Sequence, residues 1–263
     1  MITAAHTRIV QTCADTAKLM IADDTALQAR EPVADVKTPR VRTAVGAGPN
    51  AFVPVESILK NQELRHLPPL RLHLIRHGET AWALSGQYTG RTDIPLTAQG
   101  EAEAYNVGQR LRGVPFIHVL TSPLRRAQQT CALAALGPKT TIDPDLTEWD
   151  NGDDEGHTHL EILQSRPGWN LFRDGSPGGE SPCQISARAD RIINQLCMLK
   201  GDVALFSHGH FGRVLAARWI GLTVEQAQHF LFSTAAHSIL CYDHDGTGSP
   251  VIALWNTVDS TSR

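Results

Sequence analysis

The chain has 263 residues, 41% hydrophobic and 19% charged, enough for one large α/β core with an appendage. A formal net charge of -3 is too mild to make nucleic acid or an anionic membrane the main partner, and no apolar run approaches the length of a membrane span. The five cysteines (Cys13, Cys131, Cys183, Cys197, Cys241) are scattered without metal-ligand spacing, which fits free thiols in a reducing compartment.

Residues 1–69 read as a poorly structured extension and linker. Short helices over 9–21 and 54–65 are the only elements expected there, and 31–50 (EPVADVKTPRVRTAVGAGPN) has linker composition. A natural extension, a targeting segment and a mis-called start all remain open for this part. The start lacks a charged n-region and an apolar h-region, so the expected location is cytoplasmic. Residues 70–263 read as one folded domain. His73 to Ile75 is an apolar strand. Thr97 caps a helix to about Leu111, with Glu101 in its first turn. IHVL at 117–120 is a strand, and Pro123 opens a helix to about Leu136. The acidic, glycine-containing stretch 144–156 is a loop. Ser181–Leu199 is an amphipathic helix with Ile185, Ala189, Ile192, Ile193 and Leu196 on one face. VALF at 203–206 is a buried strand that leads through Ser207-His208-Gly209-His210 into another helix. SILCY (238–242) and VIALW (251–255) are the last strands. Strands alternating with helices predict a three-layer α/β/α sandwich around a mostly parallel sheet, with ligands outside the carboxyl ends of the strands.

His77 and His208 each follow a predicted strand. Arg76, Arg125 and Arg126 stand near the same expected edge, and guanidinium forks match phosphate oxygens in geometry and charge. Glu148 lies in the acidic loop. A nucleophile, anion clamps and a proton donor together suit phosphoryl transfer without a metal. Each feature alone also has an ordinary structural explanation.

LIRHGET (74–80), SPLRRAQQT (122–130), LTEWDNGDDEG (146–156) and ALFSHGH (204–210) resemble, in order and spacing, the motifs of the histidine phosphatase superfamily, also called phosphoglycerate-mutase-like. The blocks at 86–104 and 169–181 agree as well, so the resemblance spans roughly 71–255. It implies that fold for 70–263 and a metal-independent phosphomonoesterase with no cofactor. It implies His77 as the phosphorylated nucleophile, with Arg76, Arg126 and His208 as phosphoryl ligands and Glu148 as general acid and base. Arg125 is the less favoured clamp, because the family arginine directly precedes Ala127. Thr80, Thr89, Gly90 and Gly209 sit where the family contacts substrate or phosphate, and Tyr88, Asp93, Trp169, Arg173 and His210 are candidate specificity residues. In this scheme His77 attacks as neutral imidazole, His208 adds charge if its site protonates it, and Glu148 needs a raised pKa or an acidic optimum. The expected partner is a small phosphorylated metabolite, a sugar phosphate or bisphosphate, and a homodimer is left open. The sequence looks closest to sedoheptulose-bisphosphatase-like and broad-specificity acid phosphatase members. Ala83 replaces an asparagine that many members use on phosphate, which weighs against the alternative of a phosphoglycerate mutase. A weakly catalytic regulator that binds a phosphorylated ligand is the other alternative.

Overall fold

The computed structural model describes residues 67–137, 140–246 and 248–258. Apart from 67–69, the expected N-terminal extension and its two short helices lie outside the described residues. Strands β1 (Arg71–Arg76), β2 (Phe116–Thr121), β3 (Thr140–Ile142), β4 (Asp202–Ser207), β5 (His237–Tyr242) and β6 (Pro250–Thr257) form one sheet in the order β3-β2-β4-β1-β5-β6. β4 is parallel to both β1 and β2, and β2 is parallel to β3. β5 runs antiparallel to β1, and β6 antiparallel to β5. The expected mostly parallel sheet is therefore present. The three-residue edge strand β3 was not expected, because a three-residue TTI run carries too little periodicity to separate from a loop.

The central strands are apolar because both of their faces are covered. Ile75, Val119, Ala204 and Phe206 pack on one face with Val107, Leu111, Cys131 and Ala134. These come from helices α2 (Ala98–Arg110) and α3 (Arg125–Leu133) and their C-terminal flanks. On the other face, α6 (Pro182–Leu196) packs against α7 (Gly209–Trp219), and α7 meets β1 and β6. A Cβ on Gly212 of α7 would lie 3.6 Å from Leu74 Cδ2, which places Leu74 on this side. Helices α1 (Ala81–Ser85), α4 (His159–Ser165) and α5 (Leu171–Asp174) are short and lie in the connections.

Local signals set the helix ends. Thr97 accepts from Gly100 N at 3.0 Å and begins α2 as expected. Ser181 and Gln184 form a capping box, with Pro182 at the first position of α6. α3 begins two residues later than Pro123, at Arg125, whose N–H donates to Asp93 Oδ1 at 2.7 Å. That carboxylate supplies the acceptor that Leu124, at the cap position, lacks.

A polar chain crosses the apolar centre. His73 Nε2 donates to Asp202 Oδ1 at 2.8 Å, so the His73 Nδ1 lone pair faces His237 Nε2, 3.0 Å away. Burial, then the neighbouring His73, Arg110 and Arg71, push His237 down to about 3. His237 thus takes up a proton in the unfolded chain at a pH where the folded protein leaves it neutral. Its contribution to stability is complete above about pH 6.5 and fades as the pH falls toward about 3. The urea midpoint should fall over that window, with each such group adding at most about 1.4 kcal/mol per pH unit. His237→Gln should flatten the fall; an unchanged slope would show that His237 is already charged in the folded protein.

Candidate active site

The pairing of β1 with β4 decides what meets at the sheet edge. Arg76 is in register with Ser207, and His77 N donates to Ser207 O at 3.0 Å. His77 and His208, each one residue past its strand, are therefore neighbours, with ring centroids 5.2 Å apart at 60°. His77 Nδ1 is 2.7 Å from Gly78 O, an atom that can only accept, so Nδ1 carries the hydrogen and Nε2 keeps its lone pair. Burial, followed by the charges of Arg126 and Arg76, holds His77 well below its ordinary pKa despite the bond to Gly78. The ring is neutral at neutral pH.

His208 is wholly buried behind His77, and its Nε2 lies 2.7 Å from Ser122 Oγ. Leu124 N also donates to that oxygen, and the Ser122 hydroxyl proton is available to His208 Nε2 when that nitrogen keeps its lone pair. In that tautomer Nδ1 bears the hydrogen and has no hydrogen-bond partner. Burial first, then Arg126, holds His208 well below its ordinary pKa as well, so its site does not protonate it at neutral pH.

Two guanidinium groups share this edge. Arg126, from the first turn of α3, donates through Nη1 to Thr92 O at 3.0 Å and through Nη2 to Gly90 O at 2.9 Å. Arg76 donates to Phe232 O. The Nε atom of each arginine is buried without a partner. Three unpaired nitrogens, Arg76 Nε, Arg126 Nε and His208 Nδ1, thus belong to the groups whose charges or ring act on His77. Buried polar atoms are nearly always paired, so this grouping fits an acceptor-rich anion. Arg125 instead begins α3 with an exposed side chain.

Glu148 is 5% exposed. Its Oε1 accepts from Trp149 N and Phe211 N, both at 2.8 Å, and its Oε2 from His210 N at 3.0 Å. The last two donors are in the first turn of α7, where the helix dipole also favours negative charge. Burial alone would raise its pKa. The charge of His210 and the three backbone N–H groups outweigh burial, and the net shift is downward. His210 is itself pushed down to about 4, chiefly by burial, so it is charged only in acid. The expected raised pKa is therefore absent from the unliganded protein.

A cleft of about 100 Å³ opens here, and His77, Arg76, Glu148, Thr80, Thr89 and Gly209 line it. His210 lines it too and stacks on Tyr88, with ring centroids 5.4 Å apart at 10°. Burial pushes Tyr88 up to about 12, so it stays protonated. Arg126, His208 and Gly90 are not on the cleft wall. A Cβ on Gly90 would come within 2.7 Å of Trp149 O, so the missing side chain lets two loops touch. Among the remaining specificity candidates, Asp93 caps α3, Trp169 donates to Gly175 O, and Arg173 pairs with Asp174. Sequence reasoning missed Gln87, Arg213 and Phe232, which also line the cleft. Only the neighbourhood of Arg213, five residues past His208, offered a hint. Among the described residues, no three His, Cys, Asp or Glu side chains gather to hold a metal ion, and no helix is long and apolar enough to cross a membrane.

Residues 72–257 match the model of the histidine phosphatase superfamily (branch 1). An acid phosphatase of Mycobacterium tuberculosis is 38% identical over 188 residues, 70% of this chain and 92% of that protein. A sedoheptulose 1,7-bisphosphatase of Saccharomyces cerevisiae is 36% identical over 189 residues, 59% of this chain and 69% of that protein. A solved structure of an open-reading-frame product from Mycobacterium tuberculosis superposes with a TM-score of 0.67 at 36% identity, covering 72% of this chain and 97% of that one.

The unpaired nitrogens predict anion binding. Orthovanadate at 100 times its Kd should stabilise the fold by about 2.7 kcal/mol, seen as a rise in thermal midpoint. Arg126→Lys, which cannot reproduce the fork, should reduce that rise. An unchanged midpoint at saturating vanadate and phosphate would exclude an anion site here.

Proposed function

The chain belongs to the histidine phosphatase superfamily and hydrolyses phosphate esters, and from that premise we propose a metal-independent phosphomonoesterase that works through phosphohistidine at His77. The observation that carries this reading is the state of His77: neutral, its Nδ1–H tied to Gly78 O, and its Nε2 lone pair free in a cleft that Glu148 also lines.

In the first step the Nε2–P bond forms as the P–O ester bond breaks. Arg76, Arg126 and His208 hold the phosphoryl oxygens, and Glu148 gives a proton to the leaving alcohol oxygen. In the second step Glu148 takes a proton from water, the water oxygen bonds to phosphorus, and the Nε2–P bond breaks to release phosphate. Thr80, Thr89 and Gly209 line the approach, and Tyr88 and His210 flank the leaving group. The substrate is a small phosphorylated metabolite, a sugar phosphate or bisphosphate, supported by similarity to the yeast bisphosphatase. Ala83 puts a methyl group at the cleft where many family members carry a side-chain amide, which favours transfer to water over retention for a second acceptor.

His77→Ala should abolish hydrolysis of p-nitrophenyl phosphate without loss of folding. Wild type quenched during turnover of a radiolabelled ester should carry an acid-labile phosphoryl group that this variant lacks. A fully active variant refutes the mechanism. Glu148→Gln should slow alkyl phosphates by about 10²–10⁴-fold and p-nitrophenyl phosphate much less, since nitrophenolate leaves without help. Equal slowing of both would remove Glu148 as the acid. Chelator treatment should leave the rate unchanged, and a loss restored by added metal would disprove metal independence.

A further inference from the structure

One carboxylate outside the cleft is tied to the clamp Arg126. Glu155 follows the short 3₁₀ turn Gly152–Asp154 and is half-buried. It reaches across to loop 89–92. Its Oε1 accepts from Arg91 N, and its Oε2 from Thr92 N at 3.0 Å and from Thr92 Oγ1. The carbonyls of the same loop hold Arg126: Thr92 O at 3.0 Å, Gly90 O at 2.9 Å and Thr89 O at 3.4 Å. The loop is thus a two-sided adapter, with N–H groups facing Glu155 and carbonyls facing Arg126.

We propose that Glu155 is a positioning residue that fixes the Arg126 guanidinium through loop 89–92, turning its unpaired Nε toward the phosphoryl group. The role of Arg126 as a clamp rests on the function proposed above. Three observations support the linkage. The loop runs against the acid loop so closely that a Cβ on Gly90 would lie 2.3 Å from Glu155 Oε1. Arg126 is wholly buried, so the three carbonyls are its orienting partners, two of them at ordinary hydrogen-bond length. The charge of Glu155 also supports the charged form of Arg126 against burial, after Glu148 and Asp93. A misplacement of about 1 Å in such a group can cost about 10²-fold in rate.

The test is a double-mutant cycle on the full chain, read by the orthovanadate inhibition constant and by kcat for p-nitrophenyl phosphate. In the wild-type background, Glu155→Ala should weaken vanadate inhibition and lower kcat at least about 10-fold. In the Arg126→Ala background it should add almost nothing, because the group it positions is gone. Glu155→Gln keeps an acceptor on one side and should fall between, and it replaces the alanine variant if that one does not fold. Urea midpoints separate loss of folding from loss of positioning. Equal factors in both backgrounds, or no effect in either, would overturn the linkage. No effect of Arg126→Ala itself would instead overturn its role as a clamp, and the linkage with it.

Discussion

The site depends on keeping two guanidinium groups charged where water does not reach. An unpaired buried charge costs several kcal/mol, and breaking one partner of a buried pair typically costs about 3–5 kcal/mol. The chain meets that requirement with backbone carbonyls. Thr89, Gly90 and Thr92 serve Arg126, and Phe232 serves Arg76. Glu148 supplies the opposing charge to both. These partners come from three separate connections, so satisfying the two arginines draws those connections together over the ends of β1 and β4. The cleft is the space left between them.

The same requirement explains the wall made by residues 227–232. Arg213 donates to Ala227 O and Gln228 O, and its guanidinium stacks over Phe172 at 4.4 Å. Trp255 of the edge strand β6 stacks on Phe232, with centroids 5.2 Å apart, and meets Phe230 edge-on at 5.3 Å. Phe232 therefore presents its carbonyl to Arg76 from a segment fixed at both ends. A sheet edge that carries no chemistry of its own supports one of the groups at the site.

The adjacency of His77 and His208 was legible in the sequence because each ends a short apolar run, and such runs become central parallel strands. Arg126 was separable from Arg125 only through the family motif; the structure gives the physical reason, since one turns inward from α3 and the other outward. Little in the sequence pointed to the wall residue Arg213, one turn into α7, and nothing pointed to Phe232, whose place depends on where β5 and β6 join the sheet. The loop packing that needs a glycine at position 90 was not legible either, because it depends on how closely loop 89–92 meets the acid loop. The sign of the Glu148 shift also escaped the sequence. It depends on the charge of His210 and on three N–H groups, two of them at the start of a helix more than sixty residues further along.

That cradle of N–H groups bears on how one carboxylate would act in both steps of the proposed mechanism. A group held below its usual pKa is a poor acid and stays ionised, which is the form required when water attacks phosphohistidine. For the first step, the ester brings negative charge into the cleft beside Glu148, and a nearby like charge raises the pKa of a carboxylate. Proton uptake is then coupled to substrate binding, and the acid form exists only while there is a leaving group to protonate. Once the alcohol departs and the phosphoryl charge is shared with His77 and the guanidiniums, the same N–H groups again favour the base. Two roles follow from one fixed geometry because the charge that alternates belongs to the substrate.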